Sequence, residues 1–333
     1  MPQARRLVID GLGEIHLDYE MDLIDEIRAS GMRGCVVTVG NPALHGPGAF
    51  DDMRREIEGY DRHVAAHPDR LSRAVSVADI DRAVQRGTIG LIYYTQNATP
   101  IQDDVERLRT LYDLGVRIVQ LTYNTRNLLG DGCLERTNAG LSTFGIQVVE
   151  RMNAMGLLVD LSHCGQATTL DGIQFSQKPV AITHAGCKAV FNHPRNKTDE
   201  ALRALADNGG VVGIYQINPY VGPKERNDLD DYLRHVDHAV NVAGIDHVGI
   251  GSDREHRAIP DTEEEKQKLI AELSQLRPVT AATFRWPFFI SELNHPRRME
   301  TIADGLAKRG RTSSDIDKIL GGNWYRLLRE TMG

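Results

Sequence analysis

The chain has 333 residues, 41% of them hydrophobic and 26% charged, a globular balance that excludes a disordered or fibrous protein. Its 39 basic and 46 acidic residues give a formal net charge of -7, which argues against a surface that tracks nucleic-acid phosphates. No apolar run reaches the roughly 20 residues of a membrane-spanning helix, and Cys35, Cys133, Cys164 and Cys187 form no disulfide framework, so a reduced, cytoplasmic protein is expected.

The N-terminal MPQARRLVIDGLGEIH lacks the apolar stretch of a signal peptide and reads as a first strand over Leu7–Asp10. A helix follows over Asp18–Ser30, with Met21, Leu23, Ile24 and Ile27 on one side and Gly31 as its stop. Further strands are expected at Cys35–Val39, Ile89–Thr95, Val116–Thr122, Leu157–Ser162, Pro179–Thr183, Gly210–Tyr215 and His247–Ser252. Helices with terminal glycines lie at Asp103–Leu114 and Thr143–Met155. Runs such as CVVTV, RIVQL, LLVDL and GVVGIY are apolar almost throughout, as parallel strands buried on both faces require. Strand–helix alternation repeated eight times predicts an α/β protein with a TIM-type (β/α)8 barrel rather than an open doubly wound sheet. GLGEIH lacks the third glycine of a dinucleotide loop. After Ser252 come charged helical segments at Asp261–Leu276, Met299–Arg309, Asp315–Leu320 and Trp324–Met332. They predict a C-terminal helical extension that closes the outer layer and offers a homodimer contact. No linker divides the chain, so residues 1–333 read as one domain.

Chemistry in such a barrel collects at the carboxyl ends of the strands. Glu14 and His16 follow the first strand, Gln96 the third, Tyr123 and Asn124 the fourth, His163 the fifth, His184 the sixth, Tyr215 and Gln216 the seventh, and Asp253 the eighth. Adjacent parallel strands lie about 4.8 Å apart, so His163 and His184 can share one ion, and zinc with an open position would activate water. Each of these residues also has a bland reading. A strand-end histidine is often a hydrogen-bonded core residue, Asp253 is equally placed to cap a helix, and Arg195 in FNHPRNKTDE could grip a substrate carboxylate or staple its own loop. His235 and His238 are spaced as a metal pair but on a helix expected to face away from the mouth, and His63 and His67 read as solvated. Cys164 reads as a small buried residue.

The blocks LRTLYDLGVRIVQLTYN, GLSTFGIQVVERMNAMGLLVDLSH, KPVAITHAGCKAV, HPRNKTDE, NGGVV, IDHVGIGSD and GGNWYRLLR stand in an order and spacing that resembles the membrane (renal) dipeptidase family of metallopeptidases. The resemblance runs from about Val8 to Leu328 and implies an amidohydrolase-like barrel that uses two zinc ions to cleave dipeptides, including ones with a D-residue at the carboxyl side. It assigns His163 and His184 to one metal, Asp253 to the proton of the attacking water, and Arg195 to the substrate carboxylate. The family's Asp-Gly-His-x-Asp segment reads here Asp10-Gly11-Leu12-Gly13-Glu14, so a leucine replaces one ligand while Glu14 still offers oxygen. The family's bridging glutamate aligns with Gln96, whose neutral amide removes the charge that offsets repulsion between two cations. The family's carbonyl-polarising histidine aligns with Tyr123, a hydrogen-bond donor without positive charge at neutral pH.

These departures predict at most one well-occupied metal, on His163 and His184 with Gln96 or a water completing the shell and Glu14 nearby. The expected function is metal-dependent hydrolysis of an amide bond in a small carboxylate-bearing substrate such as a dipeptide. Asp253 and Tyr123 would be catalytic, and Arg195 and Tyr215 would bind substrate. The alternatives are a one-metal barrel acting on a small amine or carboxylate metabolite by other chemistry, and a metal-free binding protein.

Overall fold

The structure is a computed structural model that describes residues 6–276 and 284–333. Eight parallel strands form its centre: β1 (Val8–Asp10), β2 (Met32–Thr38), β3 (Ile89–Thr95), β4 (Val116–Gln120), β5 (Leu158–Asp160), β6 (Ala181–Ala185), β7 (Val211–Ile214) and β8 (Val248–Ile250). They pair in chain order, and a short extra strand, Leu71–Arg73, lies against β3. The barrel closes between β8 and β1, where Gly11 N donates to Ile250 O and Asp253 N donates to Leu12 O, each at 2.8 Å. Just beyond, Gly13–Glu14 pairs in parallel with Arg254–Glu255 and carries that seam up to the mouth.

The strand–helix alternation read from the apolar runs is therefore the observed architecture, with shifts at the ends of elements. β2 starts at Met32, directly after Gly31, which adopts φ +93° and turns the chain out of its helix at once. β6 starts at Ala181, not Pro179, because proline has no N–H to give the ladder, and so His184 lies inside the strand. The helix expected over Asp103–Leu114 is shorter, Arg107–Asp113, since Pro100 and Gln102 (φ +54°) hold the preceding segment in a turn. Asp315–Leu320 is not one helix but a short turn of helix, Ser313–Asp317, followed by a wider-wound turn, Lys318–Gly322.

The last helix, Asn323–Met332, does more than close the outer layer. The Trp324 indole enters the barrel interior and its Nε1 donates to Ile250 O at 2.9 Å. It joins one buried apolar cluster with Ile9, Leu12, Val36 and Tyr94. The space it fills exists because Gly11 and Gly249 carry no side chain: a Cβ at either would stand 2.3 and 2.4 Å from the indole. Above this apolar plug the barrel turns polar, with Tyr94, Gln120, Asp160 and Thr183 pointing together. Among the described residues, no helix is long and apolar enough to cross a membrane.

Candidate active site

The site is built upward from one buried carboxylate. Register places Gln120 opposite Asp160 on β4 and β5. Asp160 Oδ1 accepts from Ser162 N (3.2 Å), Ser162 Oγ (2.7 Å) and Thr183 N (2.8 Å), and its Oδ2 accepts from Tyr94 Oη (2.6 Å) and Thr183 Oγ1 (2.9 Å). These bonds satisfy a fully buried charge and draw the ends of β5 and β6 together.

They also decide the state of His184. The Thr183 hydroxyl lies within reach of Asp160 Oδ2 (2.9 Å), Ser162 Oγ (3.0 Å) and His184 Nδ1 (2.8 Å), and with its proton directed to the carboxylate its oxygen is an acceptor toward the imidazole. That assignment puts the His184 proton on Nδ1 and a lone pair on Nε2. That buried Nε2 meets no hydrogen-bond partner among the described residues. Burial pushes the imidazole well below its usual pKa, and the nearby charges of Arg195 and Lys197 add to the effect. His163 is held in the same sense, its Nδ1 lying 2.8 Å from Asn124 Oδ1, an acceptor, while the Tyr123 ring stacks on it at 4.1 Å between centroids. The two imidazoles stand 5.0 Å apart at 63°.

Arg195 clamps this pair from behind. Its Nη1 donates to Ser162 O (2.6 Å) and its Nη2 to His184 O (3.3 Å), while the guanidinium also borders the cavity. Of the two readings the sequence left open, these bonds show the stapling one, and the place at the cavity leaves the substrate role open to it. Tyr215 does not line the cavity; it is buried beside Arg195, Cζ 5.7 Å from its ring, and its hydroxyl donates to Asn196 Oδ1. Its place supports Arg195 rather than a substrate.

On the β1–β3 side the polar groups are tied to one another. Gln96 Nε2 donates to Thr38 Oγ1 (2.9 Å), and that hydroxyl donates to Glu14 Oε1 (2.5 Å), whose carboxyl is raised by burial. Leu12 lies in the apolar cluster with Trp324, and His16 is exposed with its ring against Tyr19. Asp253 lines the cavity. Its backbone is in the left-handed region (φ +52°), and the residues after it form the extended Arg254–Glu255 pair, so it caps no helix. Its carboxylate accepts no hydrogen bond from the described residues. Burial raises its pKa to about 7, opposed by Arg195 and reinforced by Glu14, Asp10 and Asp160.

Sequence reading missed several contributors. Lys197 is buried, its Nζ donating to Leu161 O, Cys164 O and Thr169 Oγ1 at 2.7 to 2.9 Å, and burial lowers it to about 8. Arg254 borders the cavity with its Cζ 4.4 Å from the Phe289 ring centre. Asp160 stood in the quoted LVDLSH block, but its role depends on cross-strand register and carries no local signal. The remaining candidates keep their bland readings. His235 engages both ring nitrogens, with Cys187 N and Val221 O, and His238 pairs with Asp199. Cys164 is buried and its thiol is pushed up.

The cavity above these groups has a volume of about 190 Å³, with Glu14, Gln96, Tyr123, Asn124, His163, Arg195, Asp253 and Arg254 as its polar lining and mainly leucine and phenylalanine side chains around the rest; His184, like Tyr215, lies behind that lining. Two imidazoles with protonated Nδ1 atoms suit one ion, completed by neutral oxygen. On the β1–β3 side Leu12 is apolar and Gln96 is uncharged and hydrogen-bonded, and among the described residues no group of three or more His, Cys, Asp or Glu side chains is arranged for a metal at either place.

The sequence pattern of the membrane dipeptidase family (peptidase family M19) matches residues 18–277. Dipeptidase verJ of Clonostachys rogersoniana is 35% identical over 57% of this chain, which spans 49% of that longer protein. An amidohydrolase from Pseudomonas aeruginosa superimposes with a TM-score of 0.87 at 31% identity, over 98% of this chain and 97% of its own. A metallopeptidase from Rhodobacter sphaeroides, liganded with a phosphinate mimic of the dipeptide L-Ala-D-Ala, superimposes with a TM-score of 0.80 at 18% identity, over 98% of this chain and 100% of its own.

Proposed function

The chain belongs to the membrane dipeptidase family, peptidase family M19, a family of metallohydrolases, and on that premise we propose that it cleaves the amide bond of a small substrate ending in a carboxylate, such as a dipeptide, with a single zinc ion held by His163 and His184. The reading rests on one observation: both imidazoles are held through Nδ1, by Asn124 and Thr183, which directs their Nε2 lone pairs to the ion. The chain reads as a divergent branch of its family, in which the Glu14–Thr38–Gln96 hydrogen-bond chain takes the place of a second ion.

His163 and His184, with Gln96 or a water beside them, would hold the zinc, which would supply a Lewis acid able to lower the pKa of a water toward about 7. Arg195 binds the substrate carboxylate and sets the scissile carbonyl over the mouth. Asp253 takes a proton from the attacking water as its oxygen bonds to the carbonyl carbon. The Tyr123 hydroxyl donates to the oxygen on which negative charge develops. Asp253 then passes the proton to the amide nitrogen, the C–N bond breaks, and an amine and a carboxylic acid leave, the acid's proton going to the amine or to solvent. A group with a pKa near 7 suits both transfers at neutral pH.

Protein purified without chelator and loaded with zinc should contain one ion per chain and hydrolyse members of a panel of L,L and L,D dipeptides. The uncharged Gln96 favours a second reading, one-metal chemistry on a small amine or carboxylate metabolite. One bound ion with no dipeptide cleaved would select it, and no bound ion would overturn both.

A further inference from the structure

The helix Glu263–Leu276 is charged in its first half, opening Glu-Glu-Glu-Lys-Gln-Lys, and none of its residues is fully buried. Leu269, Leu273 and Leu276 break that pattern. Spaced by four and three, they fall on one helical stripe, and all three border the catalytic cavity. Charged residues leave such a stripe with nothing to gain from solvent, yet these leucines are only half-buried.

Opposite them the cavity wall is aromatic and firmly placed. The Ile217↔Phe289 bridge and the bond from Asn218 N to Phe288 O (2.8 Å) tie this wall to the chain leaving β7. Phe288 stacks on Phe284 at 5.4 Å and Phe289 lies under Arg254. The cavity therefore has two chemistries. Its floor, at the strand ends, is charged and hydrogen-bonding; its roof is aliphatic and aromatic.

We infer that the roof formed by Leu269, Leu273, Leu276, Phe288 and Phe289 is a side-chain subsite, and that the substrate class is dipeptides carrying an aliphatic or aromatic side chain. This rests on the hydrolase reading of the floor. With the carboxylate on Arg195 and the amide over the histidines, a side chain directed at Leu269, Leu273, Leu276 and Phe288 meets apolar surface, with Arg254 as the charged group beside it. Burying an apolar side chain there is favourable, while a lysine side chain would lose its water and meet a like charge.

The test compares zinc-loaded protein with its Leu273→Ser and Leu269→Ser variants, using Leu-Ala, Phe-Ala, Gly-Ala, Asp-Ala and Lys-Ala. Native protein should favour Leu-Ala and Phe-Ala over both Gly-Ala and Asp-Ala by about tenfold or more in kcat/KM, and Lys-Ala should be poorer than Gly-Ala. Each serine variant should reduce the Leu-Ala to Gly-Ala ratio several-fold, through KM. If a serine variant unfolds, Leu273→Ala replaces it, with a smaller loss of the same sign. An unchanged ratio, or native preference for a charged side chain, overturns the subsite. Binding of the same dipeptides is measured by calorimetry in parallel. Tighter binding of Leu-Ala than Gly-Ala with no hydrolysis retains the subsite and sinks the hydrolase reading, whereas no binding of any dipeptide sinks both.

Discussion

Thr183 Oγ1 lies 2.8 Å from His184 Nδ1 and 2.9 Å from Asp160 Oδ2, and with its proton directed to the carboxylate the hydroxyl acts on the imidazole as an acceptor. Thr183→Val keeps the shape and removes that acceptor. Metal affinity should weaken about 10- to 100-fold, measured by competition with a chelator of known strength. Asp160→Asn should act in the same direction, and nitrogen-15 NMR of the metal-free protein should show His184 losing its single Nδ1–H tautomer. Unchanged affinity in both variants would show that the relay does not position the ligand.

His184→Ala should abolish stoichiometric zinc binding, read by elemental analysis after dialysis. His235→Ala should leave the zinc content at one per chain, because His235 spends both nitrogens on Cys187 N and Val221 O. Loss of zinc in the second variant alone would relocate the ion.

On the one-ion proposal, a second ion site should be installable. Leu12→His together with Gln96→Glu supplies a ligand and a bridging charge beside Glu14, and the double variant should bind two ions per chain instead of one. Leu12 sits in the apolar cluster with Trp324, so some thermal stability should be lost, and melting is followed alongside metal content.

Asp253→Asn should lower kcat about 10²- to 10⁴-fold with zinc content unchanged. The carboxylate must be ionised to accept the water's proton, and burial raises its pKa to about 7. Activity of the native protein should therefore climb as pH rises through about 7 and fall below it as the group protonates. The residual activity of the variant should lack that limb. A limb that persists in Asp253→Asn belongs to another group.

Loop 126–139, which borders His163 through the bond from Cys133 N to His163 O, hangs on Asp131. This carboxylate accepts from Arg126 Nε (2.6 Å), Thr137 Oγ1 (2.7 Å) and Ala139 N (2.9 Å), and the Arg126 bond leads the causes that lower its pKa to about 2. In the unfolded chain the group titrates near its ordinary value of 3.8. The stabilisation is thus complete above that value and is lost as pH falls toward 2. Asp131→Asn should cost about 1 to 2 kcal/mol near neutrality, the half-exposed Arg126 keeping the figure modest, and the gap to native protein in thermal melts should shrink between pH 4 and 2.

Local pattern carried much of this protein. Apolar runs such as RIVQL and LLVDL, with glycines at 31, 115 and 156 closing the helices between them, sufficed for eight buried parallel strands, because strand and helix periods are written in neighbouring residues. Position at strand ends sufficed to nominate His163, His184 and Asp253 as candidates. Tertiary structure alone decided what those residues can do. It put Trp324 into the space left by Gly11 and Gly249, ran Gln96 through Thr38 to Glu14, withdrew Tyr215 behind Arg195, and set Asp160 to govern His184 through Thr183. These relationships join residues far apart in the chain, and they exist only once strand register and barrel closure bring donor and acceptor within 3 Å or so of each other.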